Sequence, residues 1–196
     1  GRAIATSLAG AGARVAITGR DERKLAEAAA ALGVHPIRAD VANEVDVIRT
    51  YEDFLRAFGH LDVLVNNAGV GTFTALVDTR REDFDNVFAT NVRGTMLMAR
   101  EAAKHFIARK RGNIVNVCST ASLRGAPRGT TYYGSKFALR GMTECWRAEV
   151  RPQRARVPGQ SERGDYRLCG ERWPRSEGQP DQAARRGYRA HRQGDA

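Results

Sequence analysis

The sequence contains no long apolar run. Among its 196 residues there is no stretch of about 18 consecutive apolar residues, the length that predicts a membrane-spanning helix. Residues 1–18 are apolar enough to resemble a secretion signal, but no basic segment or methionine precedes them, and we interpret them as a helix followed by a strand. We therefore expect a protein without a membrane partner, and we do not expect Gly1 to be a natural start.

Cysteine and histidine are also scarce. The three cysteines are too few and too scattered for a disulfide framework or a zinc site, and the four histidines show no ligand spacing. We therefore predict no metal site. We interpret Cys118 as a buried small apolar residue rather than a nucleophile, and we expect Trp146 to belong to a core or a subunit interface. A sequence with so few cysteines is typical of the reducing cytoplasm, where we expect this protein.

The carboxyl-terminal quarter lacks aliphatic residues. Val157 and Leu168 are the only Val, Leu, Ile or Phe in residues 151–196, where eleven arginines face six acids and supply about half of the net charge of +10. Such a segment cannot bury enough apolar surface to offset its ordering entropy. We predict a partial domain over residues 1–153 and a disordered Arg-rich tail over residues 154–196. A basic tail can bind nucleic acid, but no recognisable module accompanies the charge, and we predict no such partner.

Short apolar runs alternate with helical segments in the rest of the chain. Asp21 has the position of a helix N-cap, and Gly33 and Gly59 have the positions of helix ends. Strands alternating with helices of about 10–15 residues predict a parallel sheet with helices on both faces, an α/β doubly wound (Rossmann-like) fold that binds ligands at the carboxyl ends of its strands. We expect strands over residues 14–18, 35–38, 61–65 and 113–118, and helices over residues 1–12, 22–32, 44–58, 82–110 (in two pieces) and 131–150.

Four polar residues stand out as candidates for chemistry. Tyr132 and Lys136 are four residues apart and so share one face at the start of the last helix. A phenol is a weak acid–base catalyst at neutral pH because its ordinary pKa is near 10, and a neighbouring ammonium favours the phenolate. Ser119 follows a predicted strand, where its hydroxyl can hold a substrate carbonyl. Asn91 lies within the preceding helical region.

The order and spacing of these residues, together with the Asn66–Gly69 segment after a buried strand, resemble the short-chain dehydrogenase/reductase family over about residues 1–150. The resemblance implies that Tyr132 is the general acid or base at the substrate oxygen. It implies that Lys136 activates the phenol and binds the nicotinamide ribose, that Ser119 orients the substrate oxygen, and that Asn91 anchors a water through which protons leave. The non-catalytic alternative, a dinucleotide sensor on the same fold, needs none of Ser119, Tyr132 and Lys136.

The resemblance also assigns a cofactor cleft. It implies that Asn67, Ala68 and Gly69 line the cleft beside the adenosine ribose, and that Asp40 and Val41 bind the adenine. Arg20 stands where relatives that use NADP(H) present a guanidinium to the 2′-phosphate, whereas Asp21, one residue later, fits a helix cap better than an NAD ribose contact. We therefore predict NADP(H) rather than NAD(H).

The family pattern extends beyond both ends of the match. Gly1 corresponds to the last glycine of the family's phosphate-binding loop, so we expect a central strand and most of that loop to be missing. From about Arg154 the sequence departs from the family, and a reading frame shifted by one nucleotide can encode a family-like strand and loop. We hypothesise that residues 154–196 are translated out of frame.

The predicted function is hydride transfer between NADP(H) and a ketone or secondary alcohol, with a 3-oxoacyl thioester, a steroid-like ketone or a small polyol-derived ketone equally compatible. The family's long helices, here near residues 92–110 and 131–150, commonly pair across a dimer, so the resemblance implies a homo-oligomer. With both ends incomplete, we expect these 196 residues alone to be an inactive fragment that binds NADPH poorly.

Overall fold

The computed structural model describes residues 1–150, in which six α-helices alternate with four short strands. The expected tail and its shifted reading frame lie outside the described residues. In chain order the elements are α1 (Arg2–Gly10), β1 (Ala16–Gly19), α2 (Glu22–Leu32), β2 (His35–Arg38), α3 (Glu44–Phe58), β3 (Val63–Asn66), α4 (Arg81–Phe88), α5 (Thr95–Arg109), β4 (Asn113–Asn116) and α6 (Thr130–Glu149).

The ends of α2 and α3 follow from local chemistry. The Asp21 carboxylate accepts the backbone N–H of Lys24 at 3.0 Å, which caps the start of α2 as predicted. Gly33 and Gly59 follow the two helices with φ of 64° and 79°, a region that glycine enters without a steric penalty. The sequence therefore defines the bounds of both helices correctly. None of the helices in residues 1–150 is both long and apolar enough to cross a membrane.

The strands form two separate parallel pairs. Strand β1 pairs with β2 and strand β3 pairs with β4, and no backbone ladder joins the pairs within residues 1–150. The parallel pairing that we expected is present within each pair.

The main apolar core lies between the β3–β4 pair and helix α5. Leu64 and Ile114, which are register partners on the two strands, are buried against Phe106 of α5. On the opposite face Val63 and Val115 stay 42% and 38% exposed. The helices of residues 1–150 therefore cover one face of this pair more completely than the other.

Helices α3, α5 and α6 meet around this core. The Tyr51 hydroxyl of α3 donates to the carbonyl of Met98 on α5 at 2.6 Å, and burial raises the pKa of the Tyr51 phenol above its ordinary value. Trp146 of α6 packs partly buried against the same core, so its predicted place in a core or an interface is confirmed for the core.

A histidine holds the segment that leads into β3. Nε2 of His105 accepts the backbone N–H of Leu61 at 3.1 Å, which requires the neutral imidazole. Burial is the main cause that lowers the pKa of His105, and the charges of Arg109 and His60 lower it further, against an opposing effect of Asp62. Protonation therefore breaks a native contact.

We expect acid to destabilise the fold through His105. Its pKa is lower in the folded chain than the ordinary value of about 6.5, so the unfolded chain binds more protons and the unfolding free energy falls as the pH drops below that value. Urea unfolding across a pH series measures this slope. The His105→Gln variant keeps an acceptor for Leu61 and should flatten the slope, whereas His35→Gln, at an exposed position, should not. Equal slopes in the parent and His105→Gln would contradict the assignment.

Candidate active site

Tyr132 and Lys136 meet near the carboxyl ends of β3 and β4. Both lie in the first two turns of α6, with Lys136 buried and Tyr132 half-buried. The Lys136 ammonium lies 5.7 Å from the centroid of the Tyr132 ring and donates to the carbonyl of Val117 at 3.2 Å. The pair is therefore close, as its spacing predicts, and the cation is fixed from the β4 side.

Ser119 follows β4 and is held in an extended conformation. Its Oγ accepts the backbone N–H of Ala121 at 3.1 Å, and its carbonyl accepts the Ser122 hydroxyl at 2.7 Å. The residue caps the short 3₁₀ turn Thr120–Ser122. Because Oγ serves there as an acceptor, the Ser119 hydroxyl hydrogen stays available to a substrate oxygen.

Asn91 lies in a π-helical segment, Ala89–Gly94, between α4 and α5. Its side chain is buried, and its carboxamide forms a pair of hydrogen bonds with the backbone of Val70: Oδ1 accepts the N–H at 2.9 Å and Nδ2 donates to the carbonyl at 2.8 Å. Nδ2 also donates to the Ser135 hydroxyl at 2.9 Å. The carboxamide thus holds the loop after β3, and the backbone carbonyl of Asn91 accepts the Thr95 hydroxyl.

The loop Val70–Thr72 forms one wall beside the Tyr132 ring. Its far end is fixed by the Thr131 hydroxyl, which donates to the carbonyl of Thr72 at 2.8 Å. At Gly71 a Cβ would lie 2.9 Å from Cδ2 of Tyr132, so a larger residue there would displace the ring. Sequence reasoning missed this loop and its anchors, because the contacts join residues 21 to 59 positions apart.

A buried polar ladder joins both strands to α6. The Asn66 amide donates to Asn116 Oδ1 at 2.9 Å, the Asn116 amide donates to the Thr143 hydroxyl at 2.8 Å, and that hydroxyl donates to the carbonyl of Leu139 at 2.7 Å. The ladder fixes the helix against the strands below the Tyr132–Lys136 pair.

Gly1, predicted for the phosphate-binding loop, lies beside the segment Asn67–Gly69, predicted to line the cleft at the adenosine ribose. A Cβ on Gly1 would lie 2.9 Å from Nδ2 of Asn67. A Cβ on Gly69 would lie 3.3 Å from Oδ1 of Asn91 and 3.7 Å from the Lys136 ammonium. Asn67, Ala68 and Gly69 are all exposed, so the backbone here offers an open cradle that a side chain would fill, which fits a bound dinucleotide.

Arg20 and Asp40 lie at the carboxyl ends of β1 and β2. Their charged groups are 3.9 Å apart, with Arg20 61% exposed. The Asp40 carboxylate also accepts the backbone N–H of Ala42 at 2.9 Å, which rigidifies this turn. Val41 packs on Gly94: a Cβ added to Gly94 would lie 2.9 Å from Cγ2 of Val41. Val41 therefore links the predicted adenine side of the cleft to the π-helical segment.

Two further expectations concern the surroundings. Cys118 is partly exposed, so its interpretation as a buried apolar residue is wrong; it lies two residues beyond the end of β4. Within residues 1–150, no three His, Cys, Asp or Glu side chains come together as a possible metal site.

Comparison with known proteins assigns the fold. A family model described as short chain dehydrogenase matches residues 1–160. The chain is 38% identical over 159 residues to the 3-oxoacyl-[acyl-carrier-protein] reductase of Bos taurus, covering 80% of this chain and 67% of that protein. The chain spans 61% to 67% of the length of three curated relatives that it matches.

Solved structures agree with this result. A metagenomic short-chain oxidoreductase in complex with NADP has a TM-score of 0.73 at 34% identity, covering 77% of this chain and 71% of that one. An NAD⁺-bound xylitol dehydrogenase has a TM-score of 0.72 at 33% identity, covering 76% and 60%. The likeness confirms the predicted doubly wound α/β fold.

Proposed function

Because the chain belongs to the short-chain dehydrogenase family, an oxidoreductase family, we propose that it forms the catalytic core of an NADP(H)-dependent enzyme that interconverts a ketone and a secondary alcohol. One observation carries the proposal: four predicted residues lie near the carboxyl ends of β3 and β4. The Lys136 ammonium lies beside the Tyr132 ring, Asn91 holds the loop after β3, and Ser119 follows β4. Ser119, Tyr132 and Lys136 together favour a catalyst over a dinucleotide sensor.

Each residue has a role that its contacts allow. The Tyr132 hydroxyl donates its proton to the substrate oxygen during reduction and accepts it in the reverse reaction. Ser119 donates a hydrogen bond to the same oxygen, since its Oγ is held by Ala121. The Lys136 ammonium, 5.7 Å from the centroid of the Tyr132 ring, would hold the nicotinamide ribose of the bound cofactor. The bound cofactor supplies or accepts the hydride.

Asn91 has a more specific part. Both Nδ2 hydrogens of its carboxamide are used by Val70 and Ser135, so a water on the proton path would have to donate to an oxygen of Asn91. We assign this role to the backbone carbonyl, which also accepts the Thr95 hydroxyl.

The preference for NADP(H) rests on Arg20. Its guanidinium is exposed at the end of β1, and its distance to Asp40 is too long for a hydrogen bond, so it can turn toward a phosphate. The Asp21 carboxylate, which would favour NAD(H), is used as the cap of α2. The NADP-bound neighbour supports this choice, and the NAD⁺-bound neighbour shows that both cofactors occur on the same fold.

We further propose that the complete protein is a cytoplasmic homo-oligomer that pairs through α5 and α6. A surface cavity of about 680 Å³ lies between these helices, α4 and the π-helical segment, with Phe88, Met96 and Met142 among its lining residues. Such a groove fits a pairing surface better than a catalytic pocket, because Tyr132 is not in its lining. Light scattering on the complete gene product measures the assembly.

The decisive assay follows NADPH absorbance with a soluble 3-oxoacyl thioester, acetoacetyl-N-acetylcysteamine. The probe is chosen because the bovine relative is a 3-oxoacyl-[acyl-carrier-protein] reductase. Consumption of NADPH that depends on the ketone, with the 3-hydroxy thioester as product, supports the proposal. No turnover with this probe or with a panel of cyclic and polyol-derived ketones would contradict it.

A further inference from the structure

Ser135 is a fully buried hydroxyl on the catalytic helix, between Tyr132 and Lys136 in sequence, and the reaction itself does not use it. The residue is 0% exposed. Its Oγ donates to the backbone carbonyl of Tyr132 at 2.7 Å and accepts Nδ2 of Asn91 at 2.9 Å. The hydroxyl therefore links the helix that carries Tyr132 to the π-helical segment that carries Asn91.

The direction of these bonds fixes the orientation of the Asn91 carboxamide. Because the Ser135 hydrogen is already donated to the carbonyl of Tyr132, its oxygen can only accept, and the amide end of Asn91 must face it. The oxygen end of Asn91 then faces the N–H of Val70, as observed at 2.9 Å. A flipped carboxamide would place two acceptors together at Ser135 and two donors together at Val70.

This orientation reaches the Tyr132 ring through the loop. Asn91 holds Val70 by both backbone groups, and the next residue, Gly71, lies against the ring with no room for a Cβ. A loop that shifts at Val70 would therefore release one wall of the ring. Small displacements of a catalytic group reduce turnover strongly, while substrate binding is affected less.

We propose that Ser135 is a positioning residue: its hydroxyl sets the orientation of Asn91, and through Val70 and Gly71 it fixes the ring of Tyr132 for proton transfer. The effect on turnover rests on the proposed function, whereas the effect on the Val70 loop does not.

Thr143 provides a matched control on the same helix. It is also buried, accepts the amide of a buried asparagine (Asn116) and donates to a helix carbonyl (Leu139), at distances within 0.1 Å of those at Ser135. Thr143→Val and Ser135→Ala thus remove the same kind of hydroxyl. Ser135→Cys keeps the volume with a weaker donor and acceptor, and it serves where the alanine variant folds poorly.

The test uses the complete gene product and measures two quantities: amide hydrogen exchange at Val70, and kcat and KM for NADPH-dependent reduction of acetoacetyl-N-acetylcysteamine. We expect Ser135→Ala to speed Val70 exchange about tenfold and to lower kcat about tenfold, with KM changed by less than about twofold. Ser135→Cys should fall between the parent and Ser135→Ala in both quantities. Thr143→Val removes a hydroxyl that binds Asn116 and Leu139 rather than Asn91, so it should leave Val70 exchange near the parent value.

Two results would overturn the proposal: Ser135→Ala with Val70 exchange unchanged, or Thr143→Val matching Ser135→Ala in both quantities. A parent protein that does not reduce the probe contradicts the proposed function instead, and Val70 exchange then decides the role of Ser135 by itself.

Discussion

Tyr132→Phe is expected to lower kcat by about a thousandfold, within the range that a lost general acid produces. The substitution removes one oxygen and keeps the ring, which packs on Gly71 and lies 5.3 Å from the ring of Phe73. The wall of the site is therefore preserved, and NADPH affinity should stay within about twofold of the parent value, because the lost interaction acts in the transition state. Stopped-flow reduction of the ketone probe and fluorescence titration of NADPH measure the two quantities.

The neighbouring tyrosine provides the control. Tyr133 is half-buried beside Tyr132, with ring centroids 6.1 Å apart, and its hydroxyl has no role in the proposed chemistry. Tyr133→Phe should keep most of the activity. Comparable losses in the two variants would indicate damage to the helix, and substantial turnover by Tyr132→Phe would remove the phenol from the mechanism.

Arg20→Ala is expected to reduce the preference for NADPH over NADH, measured as the ratio of their kcat/KM values, by about 10- to 100-fold. The magnitude corresponds to the loss of a charge-assisted pair with the 2′-phosphate, worth about 1.5–3 kcal/mol. Because NADH has no such phosphate, its kcat/KM should change little. The loss of NADPH preference caused by Arg20→Ala should be smaller at higher salt concentration, since the Arg20 side chain is exposed.

Arg23→Ala distinguishes a specific contact from a change in overall charge. Arg23 is also exposed, lies in the first turn of α2 and pairs with Glu27 at 2.8 Å. Its removal should leave the cofactor ratio near the parent value. A ratio that does not move in Arg20→Ala would contradict the proposed NADP(H) preference and would favour NAD(H).

The helices could be predicted from the sequence because their ends depend on neighbouring residues. Asp21 and Gly33 define α2 through one cap and one left-handed residue, and both lie within four residues of the groups that they bind. The spacing of Tyr132 and Lys136 likewise determines their shared face, since one helical turn brings them together.

Features set by distant contacts could not be predicted. The helical pattern over residues 82–110 predicts a break but not the π-helical segment, whose Asn91 bonds to residues 21 and 44 positions away. Ser135 is also hidden in the sequence, because a serine within a helix gives no sign of its partner. The split of the strands into two pairs depends on which strands lie side by side, and the apolar runs do not encode that.

The polar ladder has a consequence for the order in which the chain folds. Asn116 can bond to Asn66, 50 residues earlier, only after β4 has joined β3. It can bond to Thr143, 27 residues later, only after α6 has docked. Until both events occur, a buried amide lacks a partner, so half-assembled forms are penalised. Docking of α6 is thereby coupled to completion of the strands beneath it. During synthesis, Tyr132 and Lys136 can reach working positions only late, once every strand that supports them has emerged.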